Sequence, residues 1–328
     1  GLEGAYHIKI SPDGNHAYVA GSIDNAVTVF SRNAISGSLT YMTTYWNNVD
    51  GVEGIAGAYY IDIPADGNNV YVAGPDENAV AVFKRNVING TLTFVEMIQD
   101  ESGDVSEMNY PLSLMVSGDG KHVYVSSFGD EALNVFERNL VTGKLTFVEH
   151  HKEGNGGVSG LVSAYSQFVT PDGMHVYVCG LDSDAIVAFS RDPQSGELDY
   201  LDTYIDNVNG VDGISGPTSI RSSIDGNYLY ITGSNEDAVA IFSRNSSTGA
   251  ITFLTMVQEG VNGVSGIAYP TYLEVSDDAE NLYVTGFASA SLAVFNLNES
   301  TGAAVFQNAE TGAGLGVSGL DGSAAVAI

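Results

Sequence analysis

Carboxylates are the most abundant reactive groups in this 328-residue chain: forty Asp and Glu stand against eleven Lys and Arg, a formal charge of −29. They gather where strands should end. Asp50, Glu53, Asp104, Asp206 and Asp212 lie in long glycine-rich connections, and Asp24, Asp76 and Asp182, with Glu77 and Glu236, in shorter turns. Clustered carboxylates beside glycine-loop carbonyls make the hard-oxygen surroundings that Ca²⁺ takes. The first eight are therefore candidate calcium ligands, although neither an EF-hand spacing nor an RTX nonapeptide is present. No other cofactor is implied. The arginines sort by position: Arg32, Arg85, Arg138, Arg191 and Arg244 recur at one interval and read as structural ties, whereas Arg221 stands outside that series. The single Cys179 excludes an internal disulfide and a thiolate metal cluster.

The interval that sorts the arginines is 53 residues, and it orders the whole chain. "SPDGNHAYVAG" at Ser11 returns as "PADGNNVYVAG" at Pro64, "SGDGKHVYVSS" at Ser117, "TPDGMHVYVCG" at Thr170, "SIDGNYLYITG" at Ser223 and "SDDAENLYVTG" at Ser276. Each copy holds four strand-length apolar stretches separated by turn residues; in the first these are 5–10, 16–21, 26–31 and 39–46. Four antiparallel strands in a repeat of this length mark a β-propeller blade. The expected fold is an all-β propeller of six blades, about 4–47, 57–100, 110–153, 163–206, 216–259 and 269–312, forming a single domain over 1–328. Tyr18 and its five equivalents, and Phe30 and its five, supply one ring per strand per blade, as packing between twisted sheets requires. Cys179 falls at a site held elsewhere by Ala, Ser or Thr and reads as a small buried residue.

The stretch "NVYVAGPDENAVAVFKRNVINGTLTF" (69–94) and its copies resemble the bacterial lactonase-like β-propellers and the related YVTN-type repeats. The similarity spans every blade. It implies a propeller whose enzymatic members open sugar or muconate lactones with Arg, His and Glu around a central channel, and whose blades number seven rather than six. The first strand of each blade should line that channel. Its equivalent positions read His7, Tyr60, Ser113, Ser166, Ser219 and Tyr272, and two residues on, Lys9, Asp62, Met115, Phe168, Arg221 and Glu274. Of these, His7, Arg221 and Glu274 have the chemical types that the resemblance implies for catalysis. The plainer expectation for Arg221 is a channel salt bridge with Asp62 or Glu274.

Near-identical blades and little asymmetric chemistry favour a non-catalytic extracellular module for adhesion, scaffolding or assembly. A lactone hydrolase is the alternative, and a carbohydrate-binding lectin, with Tyr45 and Trp46 as its aromatic platform, the third reading. The acidic field repels nucleic acid and anionic lipid, so expected partners are a protein or glycan at the loop face, or further copies of the chain. No apolar run is long enough to span a membrane and no charged-then-apolar leader opens the chain. A soluble protein is expected, secreted, periplasmic or on the surface of a bacterium or archaeon, in a marine or halophilic setting. The connections repeat a Gly-Val-x-Gly-Ile/Leu pattern, read as tight crossovers in which glycine permits positive φ or close backbone approach; 101–110 breaks it. Finally "GLDGSAAVAI" (319–328) restates the opening "GLEGAYHIKI", a seventh copy of the first strand. It could close the ring by completing blade one, pack elsewhere while the N-terminal copy stays in place, or enter a neighbouring molecule. Closure is the expectation.

Overall fold

The computed structural model describes residues 1–312 and 325–327. They fold as an all-β, six-blade propeller: six antiparallel sheets, each of four strands paired in chain order. In the first blade the strands are Ala5–Ile10, His16–Gly21, Ala26–Arg32 and Leu39–Trp46, within one residue of the sequence expectation. Second strands such as His16–Gly21 are buried throughout, which is why they are written in Val, Tyr and Ala rather than in strict polar alternation. Third and fourth strands slip register beside the recurring phenylalanine, at Val29/Phe30 in blade one and Val82/Phe83 in blade two. Such a bulge adds twist. It also lets that ring meet the aromatic of the fourth strand edge-on, at 5.7 Å for Phe83–Phe94 and 5.6 Å for Phe242–Phe253.

The first position of blade one is held by Ala5–Ile10, paired with His16–Gly21. The N-terminal copy of the strand therefore holds that place. Apart from 325–327, the copy at 319–328 lies outside the described residues.

The described chain divides into two compact units, the first containing blades one to three and the second blades four to six. Inside each, arginines lock neighbouring blades. Arg85 of blade two donates from Nε to the Tyr18 hydroxyl (2.8 Å), from Nη1 to Gly67 O (3.1 Å) and from Nη2 to Asp13 Oδ2 (2.7 Å). The same Nη2 lies 3.0 Å from His16 Nδ1, and Tyr18 passes its own proton to Gly90 O at 2.7 Å. Arg138 repeats the arrangement on Tyr71, Gly120, Asp66 and Asn69, and Arg244 in the second unit on Gly226, Asp172 and His175. These arginines are the inter-blade ties that their repetition implies.

The tie carries a pH dependence. Burial, reinforced by the Arg85 or Arg244 guanidinium, holds His16 and His175 below the ordinary histidine range. The native state thus resists a proton that the unfolded chain accepts near pH 6.5, so stability is full above that value and is lost as pH falls through it. Blade two makes the same contact with Asn69, which does not titrate. Replacing both His16 and His175 by Asn should therefore raise the thermal midpoint relative to wild type progressively from pH 7.5 to pH 5. A gap that stays constant over that range would count against neutral histidines in the ties. Asp13 adds a lower window: burial opposes its charge, but hydrogen bonds from Ser11 and Arg85 outweigh that and hold it at about 2.

The glycine connections serve close backbone approach. In blade two Gly51 and Gly54 both adopt left-handed φ, 79° and 81°. The Gly54 carbonyl comes to lie against Gly74 at the end of the second strand, leaving no room for a β-carbon there. Blade three, whose connection departs from the pattern, rebuilds this contact. Glu107 and Ser127 stand where the two glycines would, and Asn134 donates to Glu107 O (2.8 Å) and Ser127 Oγ (3.0 Å).

Candidate functional site

First strands of adjacent blades run side by side without forming a sheet, so their backbone N–H groups must find side-chain acceptors. Asp62 Oδ2 accepts from Val116 N (2.8 Å), Ser219 Oγ from Leu273 N (3.3 Å), and His7 Nδ1 from Ile61 N (3.4 Å). His7 is thereby committed to a backbone contact; it is buried and stacks on Tyr60 at 3.8 Å. Two residues on, Lys9 pairs with Asp62 at 3.0 Å. All of these except Ser219 and Leu273 lie in the first unit.

In the second unit the same registers bring Arg221 and Glu274 together. Arg221 lies on the first strand of blade five (Pro217–Ser222), Tyr272 and Glu274 on that of blade six (Pro270–Val275). Arg221 Nε donates to Glu274 Oε2 at 3.0 Å, Nη1 to Ile220 O at 2.8 Å, and Nη2 to the Tyr272 hydroxyl. Tyr272 then donates to Glu274 Oε2 at 3.1 Å. The guanidinium carbon sits 4.8 Å from the Tyr272 ring centre and 6.0 Å from that of Phe168, within cation–π range. The salt bridge expected from sequence is present, with Glu274 as its partner. Glu274 keeps 26% of its side chain exposed against 12% for Arg221, so the carboxylate is the more open of the two. Tyr272 and Phe168 share these faces in the sequence, but only the folded geometry gives them a role.

A family model described as "Lactonase, 7-bladed beta-propeller" matches residues 2–162, 102–212 and 202–317. The chain belongs to this lactonase family. A 6-phosphogluconolactonase of Bacillus subtilis is 28% identical over 145 residues, 44% of this chain and 40% of that protein. The chain spans less than half the length of this relative and of an uncharacterized Staphylococcus saprophyticus protein, 24% identical over 156 residues, 48% of this chain and 43% of that one. Among solved structures, a putative 6-phosphogluconolactonase from Bacteroides fragilis superposes with a TM-score of 0.76 at 21% identity, covering 94% of this chain and 85% of that one. The periplasmic gluconolactonase of Pseudomonas aeruginosa gives 0.73 at 18%, covering 93% and 85%. These likenesses are of fold. The family description names seven blades, whereas the described residues of this lactonase-family chain hold six sheets.

The match overturns the leading functional expectation, a non-catalytic adhesion or assembly module; the lactonase alternative fits the family and the named relative better. Near-identity of the blades misled because it records the ties and crossovers, which repeat, while the chemistry of a lactonase would sit on first strands, whose side chains do not.

Of the other sequence candidates, Asp206 and Asp212 come together and the rest are spread over the loops. Asp50, Glu53, Asp76 and Asp104 are exposed, Asp24 accepts from Glu3 N (2.9 Å), and Asp182 accepts from the Ser163 hydroxyl (2.6 Å). Asp206 Oδ1 receives Ile214 N at 3.1 Å, and Asp184 Oδ1 receives Gly216 N at 2.7 Å. Many loop carboxylates thus act as staples for the glycine connections. Among the described residues, one trio, Asp206, Asp212 and Glu236, brings oxygens within 4.8 Å of one another and could hold a hard cation. Burial, with Asp206 and Asp212 adding to it, raises Glu236 above the ordinary carboxylate range. Tyr45 is half-buried against the blade-two core and its hydroxyl accepts from Leu92 N (2.8 Å); Trp46 is 40% exposed at the strand end. Burial pushes the Cys179 thiol up to about 12, as suits a packing residue.

Proposed function

We propose that this chain is a lactone hydrolase whose reaction centre includes Arg221 and Glu274, with Tyr272 positioning both. The supporting observation is an arginine and a carboxylate brought together on neighbouring first strands of a lactonase-family propeller. Lactone hydrolysis requires a water to reach the acyl carbon and negative charge to be held on the carbonyl oxygen as the ring opens. Glu274 can accept the proton of that water. Arg221, whose planar fork carries five N–H donors, can serve the carboxylate and a developing oxyanion together. Tyr272, hydrogen-bonded to both, fixes their relative orientation.

The charge of −29 disfavours a phosphorylated substrate, and Lys9 and Arg221 are each already paired with a carboxylate. A neutral sugar lactone is therefore the expected substrate class. In a pH-stat assay gluconolactone should be opened faster than 6-phosphogluconolactone. Glu274→Gln and Arg221→Met should each lower kcat/KM by about a hundredfold while the thermal midpoint stays within a few degrees. If neither lactone is hydrolysed above the buffer rate, or both variants keep wild-type activity, the proposal fails.

A further inference from the structure

The arginine tie is missing between blades five and six. At the position of Arg85, Arg138 and Arg244, blade six carries Leu297, so no guanidinium enters the space between blades five and six. What remains is a cavity of about 150 Å³, lined by Ser223, Asp225, Tyr230, Ala279, Leu297 and Glu299 among others. One water needs roughly 10–15 Å³, and cavities of about this size hold molecules as large as benzene.

The walls keep two of the side chains that grip arginine elsewhere, while Tyr228, bonded to Ser300 O, stands in place of His16, Asn69 and His175. Asp225 is the equivalent of Asp13, Asp66 and Asp172, each of which takes an Nη2 hydrogen bond. Tyr230 is the equivalent of Tyr18 and Tyr71, whose hydroxyls receive Nε and donate to a glycine carbonyl of the next blade. Tyr230 is 1% exposed, and its hydroxyl makes no hydrogen bond among the described residues. Asp225 is held by Ser223 and by the backbone and amide of Asn227, an exposed side chain whose single bond to Oδ2 is readily exchanged. The seam has also gained an acid: Glu299 replaces Ala34, Val87, Leu140, Pro193 and Ser246 of the other blades. A place that has lost a cation has acquired a second carboxylate.

We propose that this seam binds a small organic cation of the alkylguanidinium class, its planar N–H fork meeting Asp225 and the Tyr230 hydroxyl, Glu299 adding charge at the mouth, and its alkyl group lying along Val275 and Leu297. A strongly hydrated metal ion fits less well, because half of the wall is apolar and the donor geometry is that of a guanidinium. The proposal is independent of the lactonase reading, since it uses none of Arg221, Tyr272 or Glu274.

The test is isothermal titration of the full chain with N-methylguanidinium chloride at constant ionic strength, with tetramethylammonium chloride as a cation that has no donors and N-acetyl-arginine amide as the same group on a peptide. Saturable one-site binding of methylguanidinium is expected, with tetramethylammonium at least tenfold weaker. Tighter binding of the arginine amide would place the natural guanidinium on a peptide, and weaker binding would place it on a free metabolite. Leu297→Arg should fill the seam from within, abolish binding and raise the thermal midpoint. Tyr230→Phe and Asp225→Asn should each weaken binding at least fivefold, and they carry the test alone if Leu297→Arg does not fold. Absence of saturable heat, equal binding of tetramethylammonium, or binding unchanged in these variants overturns the proposal.

Discussion

Gly180→Val is expected to unfold blade four's connection and lower the thermal midpoint by some 5–10 °C, for a loss of about 3 kcal/mol or more. Gly180 ends the second strand of that blade, and the Gly160 carbonyl lies where its β-carbon would be. The obstacle is backbone on both sides. Gly160 itself holds φ at 98°, a conformation closed to β-branched residues and costly for the rest, so the connection cannot easily retreat. Alanine at 180 should already cost a large part of this, because the first added carbon makes the clash. Blade three shows what compensation requires: Ser127 is accepted there only beside a connection rebuilt around Glu107 and held off by Asn134. Thermal melts of Gly180→Ala and Gly180→Val measure it, and a midpoint within 1 °C of wild type for both would show that the glycine contact bears no strain.

Arg138→Ala should be the most damaging change among the ties, at about 3–4 kcal/mol. Its side chain is fully buried and makes hydrogen bonds of 2.7–3.0 Å to Tyr71, Gly120, Asp66 and Asn69. Removing it leaves a void and strands Gly120 O and Asn69 Oδ1, while Asp66, 35% exposed, can turn to water and contributes less. Lysine should rescue little, since one ammonium cannot reach a hydroxyl, a carbonyl and a carboxylate placed around a planar fork. Leucine should do better than alanine, because it fills part of the void, as Leu297 does between blades five and six. Urea midpoints for the three variants give the order; alanine equal to wild type would mean that the seam is held by apolar packing alone.

Much of the molecule was legible before it was folded. An unbroken period of 53, turn residues at fixed offsets and one aromatic per strand determine six sheets and their strand limits, because a propeller blade is built from local hairpins whose signals lie within one repeat. The arginine ties were legible for the same reason. What the repeat could not decide is anything joining residues that its averaging hides. Arg221 and Glu274 are one period of 53 apart, at the register where the other blades carry Lys, Asp, Met and Phe, and the repeat left either Asp62 or Glu274 as the arginine's partner. Only the side-by-side packing of first strands brings them to 3.0 Å and sets Tyr272 between them. Among the described residues only two of the calcium candidates, Asp206 and Asp212, share a cluster, for the converse reason: loop carboxylates look alike in sequence, and only the fold shows which of them meet and which are spent on backbone N–H groups. Likewise Leu297 reads as one apolar residue until the neighbouring blade reveals the cavity it leaves beside Tyr230. Local periodicity writes the blades; their contacts decide the chemistry.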